Sequence, residues 1–384
     1  MMTDYLEDIL PRLVKLRKEL HANPELALEE FKTAAKIVDY AKQHTNSKIH
    51  QLTETGILLE FNSGINGPSV LIRADIDALP IEEINTFAHR SIIDGKSHKC
   101  GHDGHTVILL GLAELLSYTE IKKGKVLLLF QPAEENGKGA EAILNSSYFD
   151  GLDIDYVFAL HNLPGFKKHQ IVNKSHAFNA NVKSMIIRLN GKTAHAAEPE
   201  MGVNPARIIS KIIDYASDIT INQPERDDFF LITPVHINMG EKAYGVSAGF
   251  GEVHLTIRSW SLELFNEKVK SLENFIKLNA KEEGIDTEIS WTQVFYANMN
   301  NDDAIRIIET AAKKNELELQ KMQHGFKWGE DFGLFTQKYK GAMFGLGAGE
   351  NCSALHNPDY DFPDEIIPTG IKQFYQIIKN ILNN

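Results

Sequence analysis

Apolar residues recur at helical spacing at the start of the chain. Leu6, Ile9, Leu10, Leu13, Leu16 and Leu20 form one stripe along a helix over 4–20. Pro11 lies inside that stretch, and its missing N–H predicts a disturbance or a split there. A turn follows from His21 to Glu25, and helical spacing resumes over 30–43. The pattern then changes to short, nearly unbroken apolar runs bounded by Gly, Pro, Asn or Asp: GILLEF (56–61), SVLIRADI (69–76), KVLLLF (125–130) and YVFAL (156–160). Helical segments lie between several of them, notably over 105–118 and 138–145. Continuous apolar strands alternating with helices predict an α/β domain with a mostly buried sheet.

From about 172 the texture differs. VKSMIIRLN (182–190), FFLITPVHI (229–237) and GEVHLTIRS (251–259) alternate apolar with polar, as strands do when only one face is covered. Helical patterns over 204–222 and 263–283 accompany them. Three strands and two helices predict a small α/β sandwich of roughly 110 residues. The first texture returns after about 292. The expected organisation is therefore a discontinuous domain (1–175 and 289–384) interrupted by an inserted domain (176–288).

Composition narrows the function. The net charge of −12 argues against nucleic acid and anionic membranes as partners, because phosphates would be repelled. No apolar run is long enough for a transmembrane helix, and the start of the chain lacks the apolar core of a signal peptide. Two cysteines, Cys100 and Cys352, cannot make a disulfide framework, so a reducing, cytoplasmic setting is expected.

Five segments carry candidate chemistry, all just after strands of the first kind or in the loops beyond them. KCGHDGH (99–105) holds Cys100, His102 and His105 before an apolar helix; it reads either as a metal loop or as a polar helix start. QPAEENGKG (131–139) puts Glu134 and Glu135 directly after a strand; adjacent side chains diverge, so one can bind metal while the other faces a water. LHNLPG (160–165) ends a strand with His161, and SALHNPDYDF (353–362) places His356 in a turn. RADIDALP (73–80) offers Asp75 and Asp77, either of which could orient a ligand imidazole. Singly, each of these is as well explained by ordinary surface or structural polarity.

Their order along the chain is more specific. With LRKELHANPELALEE (16–30), GKTAHAAEPEMGVNP (191–205), GEDF (329–332) and LGAGENCSALHNP (346–358), the sequence resembles the M20 metallopeptidase/amidohydrolase superfamily over nearly its whole length. The likeness is to the branch of aminoacylases, hippurate hydrolases, indole-acetyl-amino-acid hydrolases and N-acetyldiaminopimelate deacetylases. The resemblance implies metal ligands at Cys100, His102, Glu135, His161 and His356, which suit two divalent ions: zinc or manganese, with nickel or cobalt also open. It implies Glu134 as general base and Asp77 as the carboxylate that orients a ligand. It also implies His195 as a donor to the oxyanion and Arg258 as a clamp for a substrate carboxylate. Two departures stand out: AYGVSAG (243–249) puts Gly245 where the family carries an asparagine, and the segment between Pro80 and Cys100 is compact.

The implied reaction is hydrolysis of the amide bond of an N-acyl amino acid. A dipeptidase or carboxypeptidase of the same superfamily is the nearest alternative. A non-catalytic metal-binding protein would not need Glu134, and a cysteine-nucleophile hydrolase built on Cys100 would leave Glu135, His161 and His356 without a role. The resemblance also implies a homodimer formed through the inserted domain.

Overall fold

The computed structural model describes residues 2–382. The chain divides into two compact units. One runs from the start to Phe178 and includes Asn298–Gln323 and the chain from Glu330 onward; the other is Asn179–Ala297 with His324–Gly329.

The first unit is built on eight strands: β1 (Lys48–Gln51), β2 (Ile57–Asn62), β3 (Ser69–Asp75), β4 (Lys125–Gln131), β5 (Tyr156–Pro164), β6 (Ile171–Asn173), β7 (Leu319–Lys321) and β8 (Gly341–Gly349). They form one mixed sheet in the order β1-β2-β4-β3-β5-β8-β6-β7. The central strands β4, β3, β5 and β8 are mutually parallel, so their carboxyl ends share one edge. Every residue of β3 is buried, as expected of a strand covered on both faces. Its principal helices are α1 (Met2–Ala22), α2 (Phe31–His44), α3 (His102–Ser117), α4 (Asp302–Lys314) and α5 (Ile367–Leu382). In α3 every residue from His102 to Leu116 is buried, and the helix packs against α1, α2, α5 and β3. A helix that is apolar on nearly all sides belongs inside a core.

Helix α1 runs unbroken through Pro11, contrary to the expected split. Pro11 is exposed while Leu6, Ile9, Leu13 and Leu20 are buried. The carbonyl freed by the missing N–H therefore faces water, and the apolar stripe holds the helix together.

The second unit is an antiparallel sheet of four strands, in the order 230–239, 250–259, 181–190, 286–295. Burial alternates strictly along Phe250–Ser259. The buried side packs with Ile208, Ile212, Phe265, Leu272 and Ile276 of the helices Ala206–Asp218 and Leu262–Glu282. The strand Asp286–Phe295 was not among the three expected. Its side chains are mostly polar and partly exposed, as on the edge of a one-sided sheet, so it lacks the apolar run that announces the others.

Candidate metal centre and active site

The carboxyl edge of the first sheet gathers the candidate residues. β3 ends at Asp75 and leads into Asp77; β4 leads into Glu134 and Glu135; His161 lies near the end of β5; the loop after β8 carries His356. Cys100 and His102 flank Gly101, which begins α3 with φ +92°. A Cβ at that glycine would come within 2.6 Å of the Asn162 side chain, so only glycine fits. His356 also has a left-handed backbone (φ +66°), and its N–H donates to the Lys99 carbonyl at 2.7 Å, tying the last loop to the metal loop.

Among the described residues, potential ligand atoms fall into five overlapping groups, two of which share Cys100: Cys100, His102 and His161, and Cys100, Glu135 and His356. Cys100 Sγ lies 3.5 Å from His161 Nε2. Glu135 Oε1 is 3.8 Å from His102 Nε2, and Glu135 Oε2 is 3.7 Å from His356 Nε2. The other nitrogen of each buried imidazole is already engaged. His102 Nδ1 meets the Asp77 carbonyl at 2.9 Å and Asp77 Oδ1 at 3.2 Å, while His161 Nδ1 meets the Asn162 carbonyl at 2.9 Å. Thus each presents Nε2 toward the cluster, the arrangement that ligand histidines need.

The donor set fits divalent cations. Among the described residues, His102 Nε2 and Glu135 Oε1 are buried with no hydrogen-bond partner, a costly condition that a metal ion would remove. Burial, reinforced by the charges of Glu135 and Glu134, pushes the Cys100 thiol up. Burial likewise pushes the Glu135 carboxyl up to about 8. Burial alone would depress His102, yet the charge of Asp75 and the hydrogen bond to Asp77 raise it to about 10. The surplus of buried acids around Cys100 is the electrostatic signature of a site made for positive charge.

The strand ends between Asp75 and Asp77, and their hydrogen bonds go to different histidines, while Asp75 also lies 3.7 Å from His102 Nε2. Asp77 Oδ1 meets His102 Nδ1, and Asp77 Oδ2 accepts the Glu135 N–H at 3.0 Å. Asp75 meets His105 Nδ1 at 2.5 Å, and His105 Nε2 accepts the Asn162 N–H at 3.3 Å. Behind this pair lies a charge cluster that the sequence reading did not single out. The fully buried Arg73 donates to Asp75, Glu330 and Asp331 at 2.6, 3.0 and 2.9 Å, and to Gln131 at 3.0 Å. An arginine within the apolar run of β3 was the available signal, since a buried cation demands anions. Glu134 is buried beside this cluster. Burial and the charges of Glu330, Glu135 and Asp331 hold its carboxyl well above the usual range, which makes the carboxylate a better base.

The segment from Pro80 to Cys100 contains no helix and is held by buried charge. Glu83 accepts from Lys99 at 2.5 Å and from the Ser91 N–H at 2.6 Å, and meets His21 at 3.1 Å; His21 in turn meets Asp103 at 2.9 Å.

In the second unit, His195 sits on the two-residue strand Ala194–His195, paired with Val246–Ser247. The side chain is exposed, and its Nδ1 accepts the Ala197 N–H at 3.0 Å. In the neutral ring this puts the proton on Nε2. The departing AYGVSAG segment supports the same hairpin: the Gly245 carbonyl accepts the Ala196 N–H at 2.9 Å, and nothing lies within 4 Å of where a Cβ at Gly245 would stand. Arg258 is half-buried and donates one N–H to the Lys327 carbonyl at 2.6 Å. Asn238 is exposed on the outer strand Phe230–Met239.

A mixed α/β unit with clustered potential metal ligands at the carboxyl edge of its sheet suits a metallohydrolase. The chain belongs to peptidase family M20/M25/M40, whose model matches residues 71–380. It is 28% identical over 372 residues to a hippurate hydrolase of Campylobacter jejuni, covering 96% of each chain. It is 30% identical to an N-acetyldiaminopimelate deacetylase of Bacillus subtilis, covering 91% of this chain and 94% of that one. Its fold superposes with a TM-score of 0.84, at 25% identity, on a Bacillus subtilis protein described as a dinuclear metal-binding peptidase from the M20 family; the match covers 98% of this chain and 99% of that chain.

Proposed function

We propose that this protein hydrolyses the amide bond of N-acyl amino acids, with two divalent ions held by Cys100, His102, Glu135, His161 and His356. The observation that carries this reading is the pair of ligand triads sharing Cys100, with the buried Glu134 beside them. Ions bound there would polarise the scissile carbonyl and lower the pKa of a water from about 15.7 toward about 7. Glu134 takes the proton of the attacking water onto a carboxylate oxygen and delivers it to the departing amine nitrogen. Asp77 keeps His102 in the tautomer that points Nε2 at the cage. His195, with Nε2–H free to donate, stabilises the developing oxyanion. Arg258, with guanidinium N–H groups beyond the one bound to Lys327, pairs with the substrate carboxylate. Zinc and manganese suit the mixed thiolate, imidazole and carboxylate donors, and nickel or cobalt can substitute. A reducing cytoplasm suits a chain whose two thiols, one of them a proposed ligand, are free.

The outer strand Phe230–Met239 supports a homodimer as the assembled form. Its residues 234–239 are exposed at a sheet edge and include Val235, Ile237 and Met239. An apolar open edge of this kind pairs with a second copy. Light scattering after Ile237→Lys should give a monomer where the wild type gives a dimer.

The test of activity is a screen of N-acetyl, N-benzoyl and N-indoleacetyl amino acids beside unblocked dipeptides, using enzyme loaded with Zn²⁺ or Mn²⁺. Turnover of blocked amino acids that Glu134→Ala and chelation both abolish supports the reading. Turnover of dipeptides alone moves the enzyme to the peptidase reading, and chelator-resistant turnover rejects the metal mechanism.

A further inference from the structure

The motif LRKELHANPELALEE has so far had no part in the chemistry. Its last residue, Glu30, is fully buried against the turn that follows β4. Glu30 Oε1 accepts the Leu28 N–H at 3.0 Å and the Ala133 N–H at 2.8 Å; Oε2 accepts the Thr55 hydroxyl at 3.1 Å. Ala133, immediately before Glu134, holds a left-handed backbone with φ +55°. An L-residue stays in that region only when its surroundings fix it. The Ala133 carbonyl accepts the Lys138 and Gly139 N–H groups at 3.2 and 3.0 Å, which closes the turn. A Cβ at Gly139 would stand 1.8 Å from the Pro132 carbonyl oxygen, so the turn has no slack there. Two more carboxylates hold it from other sides: Asp77 takes the Glu135 N–H at 3.0 Å and Asp331 the Ala140 N–H at 2.9 Å.

We infer that Glu30 is a positioning residue of the active site: by holding Ala133 in its left-handed conformation it sets the directions of the Glu134 and Glu135 carboxylates. Capping α2 does not account for Glu30, because its side chain makes no cap hydrogen bond there. The second and third N–H groups of α2 go instead to Glu25, from Lys32 at 3.2 Å and Thr33 at 2.8 Å. Glu30 itself touches neither the attacking water nor the substrate in the proposed mechanism.

The inference rests on the proposed amidohydrolase reading only for its activity readout. Three variants separate positioning from bulk stability. Glu30→Gln keeps an oxygen for the two N–H groups and an amide for the Thr55 hydroxyl. Glu30→Ala removes all three contacts, and Thr55→Val removes only the contact remote from Ala133. A misplaced catalytic group costs rate even when the fold survives, so Glu30→Ala should lower kcat about 30-fold or more with KM changed by less than about threefold. Glu30→Gln should retain kcat within about threefold of wild type, and Thr55→Val should lose thermal stability without that loss of kcat. Independently of activity, amide exchange over residues 133–136 should quicken in Glu30→Ala alone, and Zn²⁺ should bind more weakly when titrated against a chromogenic chelator. Equal exchange and equal Zn²⁺ affinity in Glu30→Ala and wild type would overturn the inference. So would losses of kcat that follow melting temperature across all three variants. If wild type turns over no N-acyl amino acid, the functional reading fails by itself, and the exchange and Zn²⁺ comparisons still decide the role of Glu30.

Discussion

The metal cage and the His195 hairpin solve opposite problems. In the proposed cage, candidate ligands are held from behind: His102 by Asp77, His161 by the Asn162 carbonyl, and the backbone of Glu135 by Asp77. The hairpin is exposed, and His195 is steadied by the Ala197 N–H of its own loop. The contrast teaches that the two parts of one proposed mechanism draw on different sources of order. Apart from the exposed His356, the proposed cage is continuous with the core, so damage to it should appear first as lost stability or lost metal. The hairpin is chemistry on a surface, so damage there should appear as lost rate in an intact protein.

The sharpest test of that contrast is Arg73→Met. It leaves Asp75, Glu330 and Asp331 buried without their cation, which costs about 3–5 kcal/mol. Urea unfolding should show this loss in the metal-free protein; an unchanged midpoint would mean that the cage is not embedded in the core as described. His195→Gln should cost kcat about 10²-fold, the effect of removing one oxyanion donor, while leaving the melting temperature where it was. A fall in stability there would erase the distinction between the two regions. Asp77→Asn should weaken Zn²⁺ binding about 10- to 100-fold, as the loss of an orienting carboxylate does, measured by chelator competition.

A smaller effect concerns the charge cluster behind the metal loop. Burial would depress His21, but its hydrogen bonds to Asp103 and Glu83 outweigh this and raise it from 6.5 to about 9. Below pH 6.5 both the folded and unfolded states carry the proton, and the stabilisation is fully present. Between 6.5 and 9 the unfolded chain releases the proton while the folded one keeps it, so the contribution fades and is lost as pH rises through 9. The stability gap between wild type and His21→Gln should therefore narrow over that interval. The smallest effect lies in the second unit away from the hairpin. Ser261 caps the helix Leu262–Glu282 by accepting the Leu264 N–H at 3.2 Å, and Ser261→Ala should cost about 1 kcal/mol without altering kcat.

Much of this architecture was legible in the residues. Mostly apolar runs marked β2, β3, β4 and β5, because strands covered on both faces keep polar side chains only where buried partners meet them. The outer strand Asp286–Phe295 was missed because one-sided edge strands tolerate polar residues along most of their length. Pro11 misled for a different reason: a helix-breaking residue on the water side does little when the opposite side is anchored. Among the candidate residues, family order pointed to the cage, and RADIDALP left Asp75 and Asp77 open. The chain leaves the strand between the two, and Asp75 hydrogen-bonds to His105 while Asp77 hydrogen-bonds to His102. Glu30, Arg73, Glu330 and Asp331 act through contacts more than 50 residues away in sequence, a distance over which local pattern carries no information.

Gly245 gives the hairpin a different kind of future from the cage. Gly101 and Gly139 admit no side chain, so mutations there meet immediate rejection. At Gly245 the space beside the backbone is open, and the link to Ala196 uses only the main-chain carbonyl. Natural variation at this one codon can therefore add a new side chain next to His195 while the fold goes on being inherited unchanged.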